Sequence, residues 1–138
     1  MGIKVKKELT VSKAKAQTWK VFSEYIRRRY ANDQGMVPCI TCGTVKHWKE
    51  LQAGHFIPGR HNGVLFDVRN CHQQCYQCNV PLKSNPIKYR EVMENRYGQE
   101  VIEELIAFDA TNKQFKVWEL VDLKDGFAQL ITELKANL

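Results

Sequence analysis

The sequence has no uninterrupted apolar run near the roughly 18 residues that a membrane-spanning helix requires. Its start, MGIKVKKELT, lacks the apolar core of a secretion signal. Both absences argue against a membrane or secreted protein and lead to the expectation of a cytoplasmic one, kept in reducing surroundings. There is also no internal repeat, low-complexity tract or Ser/Gly-rich linker, so solenoids and flexibly tethered modules are not expected. The 138 residues therefore read as one domain, 1–138. With 43% hydrophobic and 26% charged residues, the chain has the balance of an ordinary globular protein.

What is present begins with charge. The formal net charge is +6, and residues 1–30 hold nine Lys and Arg against two Glu, whereas residues 99–138 hold four Lys against eight acids. A basic front and an acidic tail suggest one face made for a polyanion and another turned away from it. Solvated helix faces would also account for these charges.

Residues 1–35 read as a basic N-terminal helix, with Ser12 as its cap, Trp19, Phe22, Tyr25, Ile26 and Tyr30 at helical spacing, and Asn32 to Gly35 as its stop. At least two of Arg27, Arg28 and Arg29 should face outward, where they could meet phosphates. From residue 37 to about 85 the pattern changes to short strands and turns punctuated by glycines. Residues 86–138 read as C-terminal helices: one opened by Asn85-Pro86 and ended by Gly98, one from about Gln99 to Phe108, and one from about Phe115 to Ala136 that Gly126 would interrupt. The expected class is α+β, a small core flanked by helices.

Four of the five cysteines form two pairs, Cys39/Cys42 and Cys75/Cys78, with 32 residues between them. Thiolates two residues apart sit on tight knuckles, and two knuckles supply the four-sulfur shell that structural zinc prefers. Disulfides are the competing reading, disfavoured by a reducing compartment. A closed four-cysteine shell has no open position, so such a zinc would hold the fold and leave chemistry to other residues. Cys71 is left over and reads as a small buried apolar residue.

Between the knuckles lie Gly54-His55-Phe56, then Asp67-Val68-Arg69-Asn70, and Asn79 follows Cys78 directly. Phosphodiester hydrolysis needs a base of near-neutral pKa, a hard divalent cation and oxygen or nitrogen ligands for it. Histidine supplies the first and Asn or Asp oxygens the last. Arg60 and Arg69 flank the group and could clamp phosphates; His61 and His72 are near in sequence but match no fixed role, and His47 beside the first knuckle reads as surface.

At these positions the sequence resembles the HNH (ββα-metal) endonucleases. Over a longer stretch, PCITCG, AGHFIPGRHN, LFDVRNCHQQCYQCN and SNPIKYREVMENRYGQEVIEEL are similar to the NinG/Rap recombination nucleases of lambdoid bacteriophages. The resemblance implies a zinc-stapled ββα-metal core and a metal-dependent, structure-specific endonuclease cutting branched DNA such as Holliday junctions and D-loops. It implies His55 as general base, Asn70 as the residue that ties the loop and orients the base, and Asn79 as a ligand of a catalytic Mg²⁺ or Mn²⁺. Many such enzymes have an Asp ligand just before the base. Here that residue is Gly54, and Asp67 is the nearest acid that could replace it. A homodimer through the apolar C-terminal helices would suit symmetric cutting of a four-way junction. The alternative is a non-catalytic zinc ribbon presenting Arg27 to Arg29, Arg60 and Arg69 to nucleic acid.

Overall fold

A computed structural model of the chain describes residues 8–137; the basic stretch of residues 1–7 lies outside the described residues. Helix α1 (Val11–Arg28) starts two residues earlier than Ser12 as its cap would imply, because Thr10 caps it instead, its Oγ1 accepting from the Lys13 amide at 3.2 Å. Ala14, Thr18, Phe22 and Ile26 recur every fourth residue and form its buried stripe. The stripe packs on the last helix. Thr18 is tolerated there because its hydroxyl donates to the carbonyls of Ala14 and Leu120, at 2.8 and 2.9 Å.

After α1 the chain turns at Asn32, whose Oδ1 accepts from the amides of Gln34 and Met36, both at 2.9 Å. Gly35, at φ 77°, stands where any side chain would overlap the His47 ring. Strands β1 (Met36–Pro38) and β2 (Val45–His47) pair antiparallel and carry the first knuckle in their connection. One 3₁₀ turn (Trp48–Glu50) leads to β3 (Gln52–His55), and a loop and the short helix α2 (Asn62–Leu65) lead to β4 (Cys71–Gln74). β3 and β4 form a second antiparallel pair, with Gln52 opposite Gln74, Gly54 opposite His72 and His55 opposite Cys71. The second knuckle continues straight from β4 into helix α3 (Tyr76–Asn79).

Helix α4 (Pro86–Arg96) begins with proline in its first turn, as expected. Asn85 stands at the cap position, as expected, but without a capping hydrogen bond from its side chain. It is left-handed, at φ 52°, and its side-chain amide lies 3.7 Å from Cys78 Sγ. Gly98 ends α4 and precedes α5 (Gln99–Asp109). Helix α6 (Val117–Ala136) starts two residues later than Phe115 and runs unbroken through Gly126, which faces open space.

The arrangement is thus α+β, with helices around two two-stranded sheets. α1 and α6 bury Phe22, Ile26, Leu120 and Phe127 against Ala53 and Cys71 from the strands and Leu65 of α2. Tyr89, Met93, Ile102 and Leu105 form a second core under α2, while Val37, Leu51 and the knuckle cysteines form a third. No helix among the described residues is long and apolar enough to cross a membrane.

Candidate functional site

The two knuckles converge. The sulfurs of Cys39, Cys42, Cys75 and Cys78 all lie within 4.8 Å of one another, and those of Cys42 and Cys75 are 3.7 Å apart. That is far beyond a disulfide bond. It is close to the roughly 3.8 Å edge of a tetrahedron with Zn–S bonds of about 2.3 Å. Burial pushes the Cys39 thiol up, but the Thr41 hydroxyl and the amides of Cys42, Cys75 and Thr41 outweigh it and bring it down to about 6. Thr44 beside Cys42 lowers that thiol as well. These four residues could hold a zinc ion. Cys71 is fully buried, and burial pushes its thiol up, which leaves it unreactive.

His55 ends β3 and is only 8% exposed. Its Nε2 lies 3.1 Å from the Leu65 carbonyl. A carbonyl can only accept, so Nε2 carries the proton and Nδ1 keeps the lone pair. Nδ1 has no hydrogen-bond partner among the described residues, yet it is not among the sealed, unsatisfied atoms. Burial lowers the imidazole's pKa, the Leu65 carbonyl opposes this, and the charge of Arg60 lowers it further. The ring stacks on the Trp19 indole, with centroids 5.3 Å apart and planes at 25°. Trp19 reads in the sequence only as part of a packing stripe; a tertiary contact between α1 and β3 leaves no local signal.

Asn70 is fully buried, and its side chain brackets one residue: Oδ1 accepts from the Ile57 amide at 2.9 Å and Nδ2 donates to the Ile57 carbonyl at 3.4 Å. Its own carbonyl accepts from the Phe56 amide at 2.8 Å. The backbone leaving His55 is therefore clamped at two consecutive residues. Asn79 lies across the hairpin. Its Nδ2 donates to Gln52 Oε1 at 2.6 Å, and its Oδ1 lies 3.0 Å from where a Gly54 Cβ would stand. Strand alternation sends His55 to the opposite face from Gly54, Gln52 and Gln74.

Gly54 has a neighbour that the sequence does not reveal. Gln74 Nε2 donates to Thr41 Oγ1 and to the Ser84 carbonyl, at 3.1 and 3.0 Å, which aims Oε1 at Gly54. A Gly54 Cβ would overlap that oxygen, and the oxygen itself is buried without a donor. The space of an Asp side chain at residue 54 is thus taken by an amide oxygen. Asp67 does not reach across to replace it. Its two oxygens hold the Arg69 amide and guanidinium at 2.9 to 3.1 Å. Among the described residues no group of three or more His, Cys, Asp or Glu side chains other than the four cysteines comes close enough to share an ion.

The arginines divide. Arg27 Nε donates to Ser23 at 3.1 Å, and a second nitrogen lies 3.4 Å from the Trp48 carbonyl. Arg28 pairs with Glu24 at 3.4 Å, its side chain only 17% exposed. Arg29 donates to the carbonyls of Val68 and Cys71 at 3.0 and 2.8 Å, pinning α1 to the start of β4. The expectation that two of these three point outward is corrected here: all three are partly buried and engaged within the fold. Arg69 is held by Asp67 and Glu104, which raise its pKa. Arg60 alone of the five is exposed and makes no hydrogen bond or ion pair with a described residue. His61, exposed, pairs with Asp109 at 2.8 Å, and His47 Nδ1 accepts from the Lys49 amide at 3.2 Å.

His72 belongs to a buried chain. The Tyr89 hydroxyl donates to the Gly54 carbonyl at 2.7 Å, so it accepts from His72 Nδ1 at 3.0 Å, and His72 Nε2 accepts from the Tyr97 hydroxyl at 2.8 Å. Burial, with the charges of Arg29 and Arg96, lowers the His72 pKa to about 3 and keeps the ring neutral.

Fold and site together define a small α+β protein organised around a cluster of four cysteines that could hold a metal ion. Comparison with known proteins places it more closely. The chain belongs to the NinG family: the family model described as Bacteriophage Lambda NinG protein matches residues 3–137. It is 31% identical over 120 residues to Protein ninG of Escherichia phage 933W, covering 86% of this chain and 57% of that protein. It is 28% identical over 120 residues to Protein ninG of Escherichia phage lambda and to that of Salmonella phage P22, in each case over 86% of this chain and 56% of the relative. The chain thus spans a little over half the length of these relatives. No solved structure matches it.

Proposed function

We propose that the chain is a DNA endonuclease of the HNH type, acting on branched recombination intermediates, with His55 as its general base and a structural zinc on the four cysteines. One observation carries this reading: a neutral imidazole whose Nε2–H is fixed by the Leu65 carbonyl and whose Nδ1 lone pair has no internal use, on a strand whose exit is clamped by Asn70. The β3–β4 hairpin, the helix α3 that follows it and the flanking knuckles agree with a ββα core.

In the reaction, Nδ1 takes a proton from water as the water oxygen attacks phosphorus and the P–O bond to the leaving oxygen breaks. The Leu65 carbonyl holds the ring through the transfer and stabilises the imidazolium that forms. Asn70 keeps the strand end from shifting, and misplacement by about 1 Å can cost on the order of a hundredfold in rate. The resemblance also brings a divalent cation, and the residues present do not complete a shell for one. Two neutral amide oxygens, of Asn79 and Gln74, lie beside Gly54, and the second is sealed against the backbone. A hard cation such as Mg²⁺ normally takes one or two carboxylates with substrate oxygens.

That missing carboxylate is the observation that favours a second reading, a zinc ribbon that binds nucleic acid without cutting it. The two separate in one experiment, in which labelled four-way junction and matched linear duplex are incubated with the protein in buffers with and without Mg²⁺ or Mn²⁺. The nuclease reading expects nicks in the junction that vanish in His55→Ala. Binding without cleavage in every buffer would establish the ribbon.

A further inference from the structure

The bend Pro58–Gly59–Arg60, which carries the chain from β3 toward α2, is exposed and strained. Gly59 has φ 98° and Arg60 φ 54°, and the left-handed region is one that a long side chain seldom adopts. Such conformations persist where the surroundings over-determine them, and they cluster where a side chain must be aimed. Here the aimed group is a guanidinium, its Cζ 4.2 Å from the centre of the Trp19 ring. One indole therefore carries both His55 and Arg60.

Beyond Arg60 runs a polar groove of about 290 Å³ lined by His61, Asn62, Thr111, Lys113 and Gln114. His61 is paired with Asp109 at 2.8 Å and Lys113 with Glu119 at 2.7 Å. Arg60 is the one cation of the groove without an acidic partner among the described residues. A planar guanidinium lying on an aromatic face keeps its N–H edges free, and those edges match two oxygens of a phosphate.

We propose that the Pro58–Arg60 bend is a phosphate clamp, in which Trp19 is the positioning residue that holds the Arg60 guanidinium beside the base, so that a DNA phosphodiester gripped by Arg60 meets His55. The neighbouring stretch of DNA backbone then lies along the groove toward the loop between α5 and α6. This rests on the nuclease reading for its consequence in catalysis, but the grip itself is measurable without cleavage.

The test uses Arg60→Gly, because glycine accepts the left-handed bend while deleting the guanidinium. Its thermal stability stays equal to wild type or rises. Its affinity for a fluorescein-labelled four-way junction, followed by anisotropy without added divalent cation, falls several-fold, and the slope of log affinity against log salt falls by about one. Trp19→Phe keeps an apolar ring but a weaker cation–π surface. It lowers affinity in the wild-type background and causes no further loss beside Arg60→Gly, the non-additivity of groups acting as a unit. Unchanged affinity and salt slope in Arg60→Gly overturn the clamp whether or not the wild type cleaves. Equal losses from Trp19→Phe in both backgrounds overturn the role of Trp19. A wild type that binds but never cuts ends the nuclease reading and leaves the clamp standing on the loss of affinity; a wild type that does not bind DNA overturns both.

Discussion

Side chain by side chain, the site separates what acts from what holds. On the proposed nuclease reading, His55→Ala removes the base but no hydrogen bond that closes the knuckles, so it should lower cleavage on the order of 10²–10⁴-fold with zinc content and DNA affinity near wild type; elemental analysis and anisotropy check the second half. Because burial lowers the His55 pKa, the imidazole stays deprotonated below its ordinary value of 6.5. The acidic limb of the pH–rate profile should therefore fall below pH 6.5, and an inflection above that value would exclude His55 as the titrating base. Gly54 holds a different kind of information. A Cβ there meets Gln74 Oε1, so Gly54→Ala should destabilise by about 1–3 kcal/mol. Most of that loss should disappear when Gln74→Ala is the background, since the two side chains contest the same space. Denaturant midpoints of the four proteins decide it, and simple additivity would mean that Gln74 does not fill that space.

The helices and the cysteine pairs were readable in the sequence because their signals are local: apolar residues at helical spacing in α1, of which Phe22 and Ile26 are buried, proline at the start of α4, and two CxxC spacings. What was not readable is cross-chain. Arg29 reads as an outward cation until Val68 and Cys71, at the entry to β4, offer it two carbonyls, and Gln74 reads as an ordinary strand residue until the hairpin register turns it toward Gly54. His55 and Asn70 stand out by residue type and spacing, but that Asn70 brackets Ile57 while Asn79 faces the other side of the hairpin follows only from strand geometry. The buried chain from Tyr97 through His72 and Tyr89 to the Gly54 carbonyl is of the same kind, and it has a measurable pH signature. The His72 pKa is about 3 folded against 6.5 unfolded. The unfolded state thus binds the extra proton, and stability falls as pH drops below 6.5 and continues to fall toward about pH 3. The slope from this residue is about 1.4 kcal/mol per pH unit. Urea midpoints taken from pH 7 to pH 4 should fall less steeply in His72→Gln than in wild type, and parallel curves would show that the chain does not hold a neutral ring.

For the molecule as a whole, the four sulfurs join β1–β2 to β4–α3, and Cys75→Ser should lower both bound zinc and thermal stability together. Unchanged stability in a zinc-depleted protein would remove the metal from the account of folding. The first knuckle and the second are 33 residues apart from Cys42 to Cys75, and His55, Arg60 and Asn70 all lie on the stretch between them. A metal bridging its ends makes that stretch a closed ring. By the chain-entropy relation for cross-links, closing a loop of this length withdraws about 3–4 kcal/mol of freedom from the unfolded chain. With zinc bound, β3 and the bend that carries Arg60 would be ordered partly by a constraint on their ends, and zinc supply would set how long they stay open to proteases. Limited proteolysis of chelator-treated protein should cut first between Gly43 and Gln74, while α1 and α6, packed on each other outside the ring, resist longer.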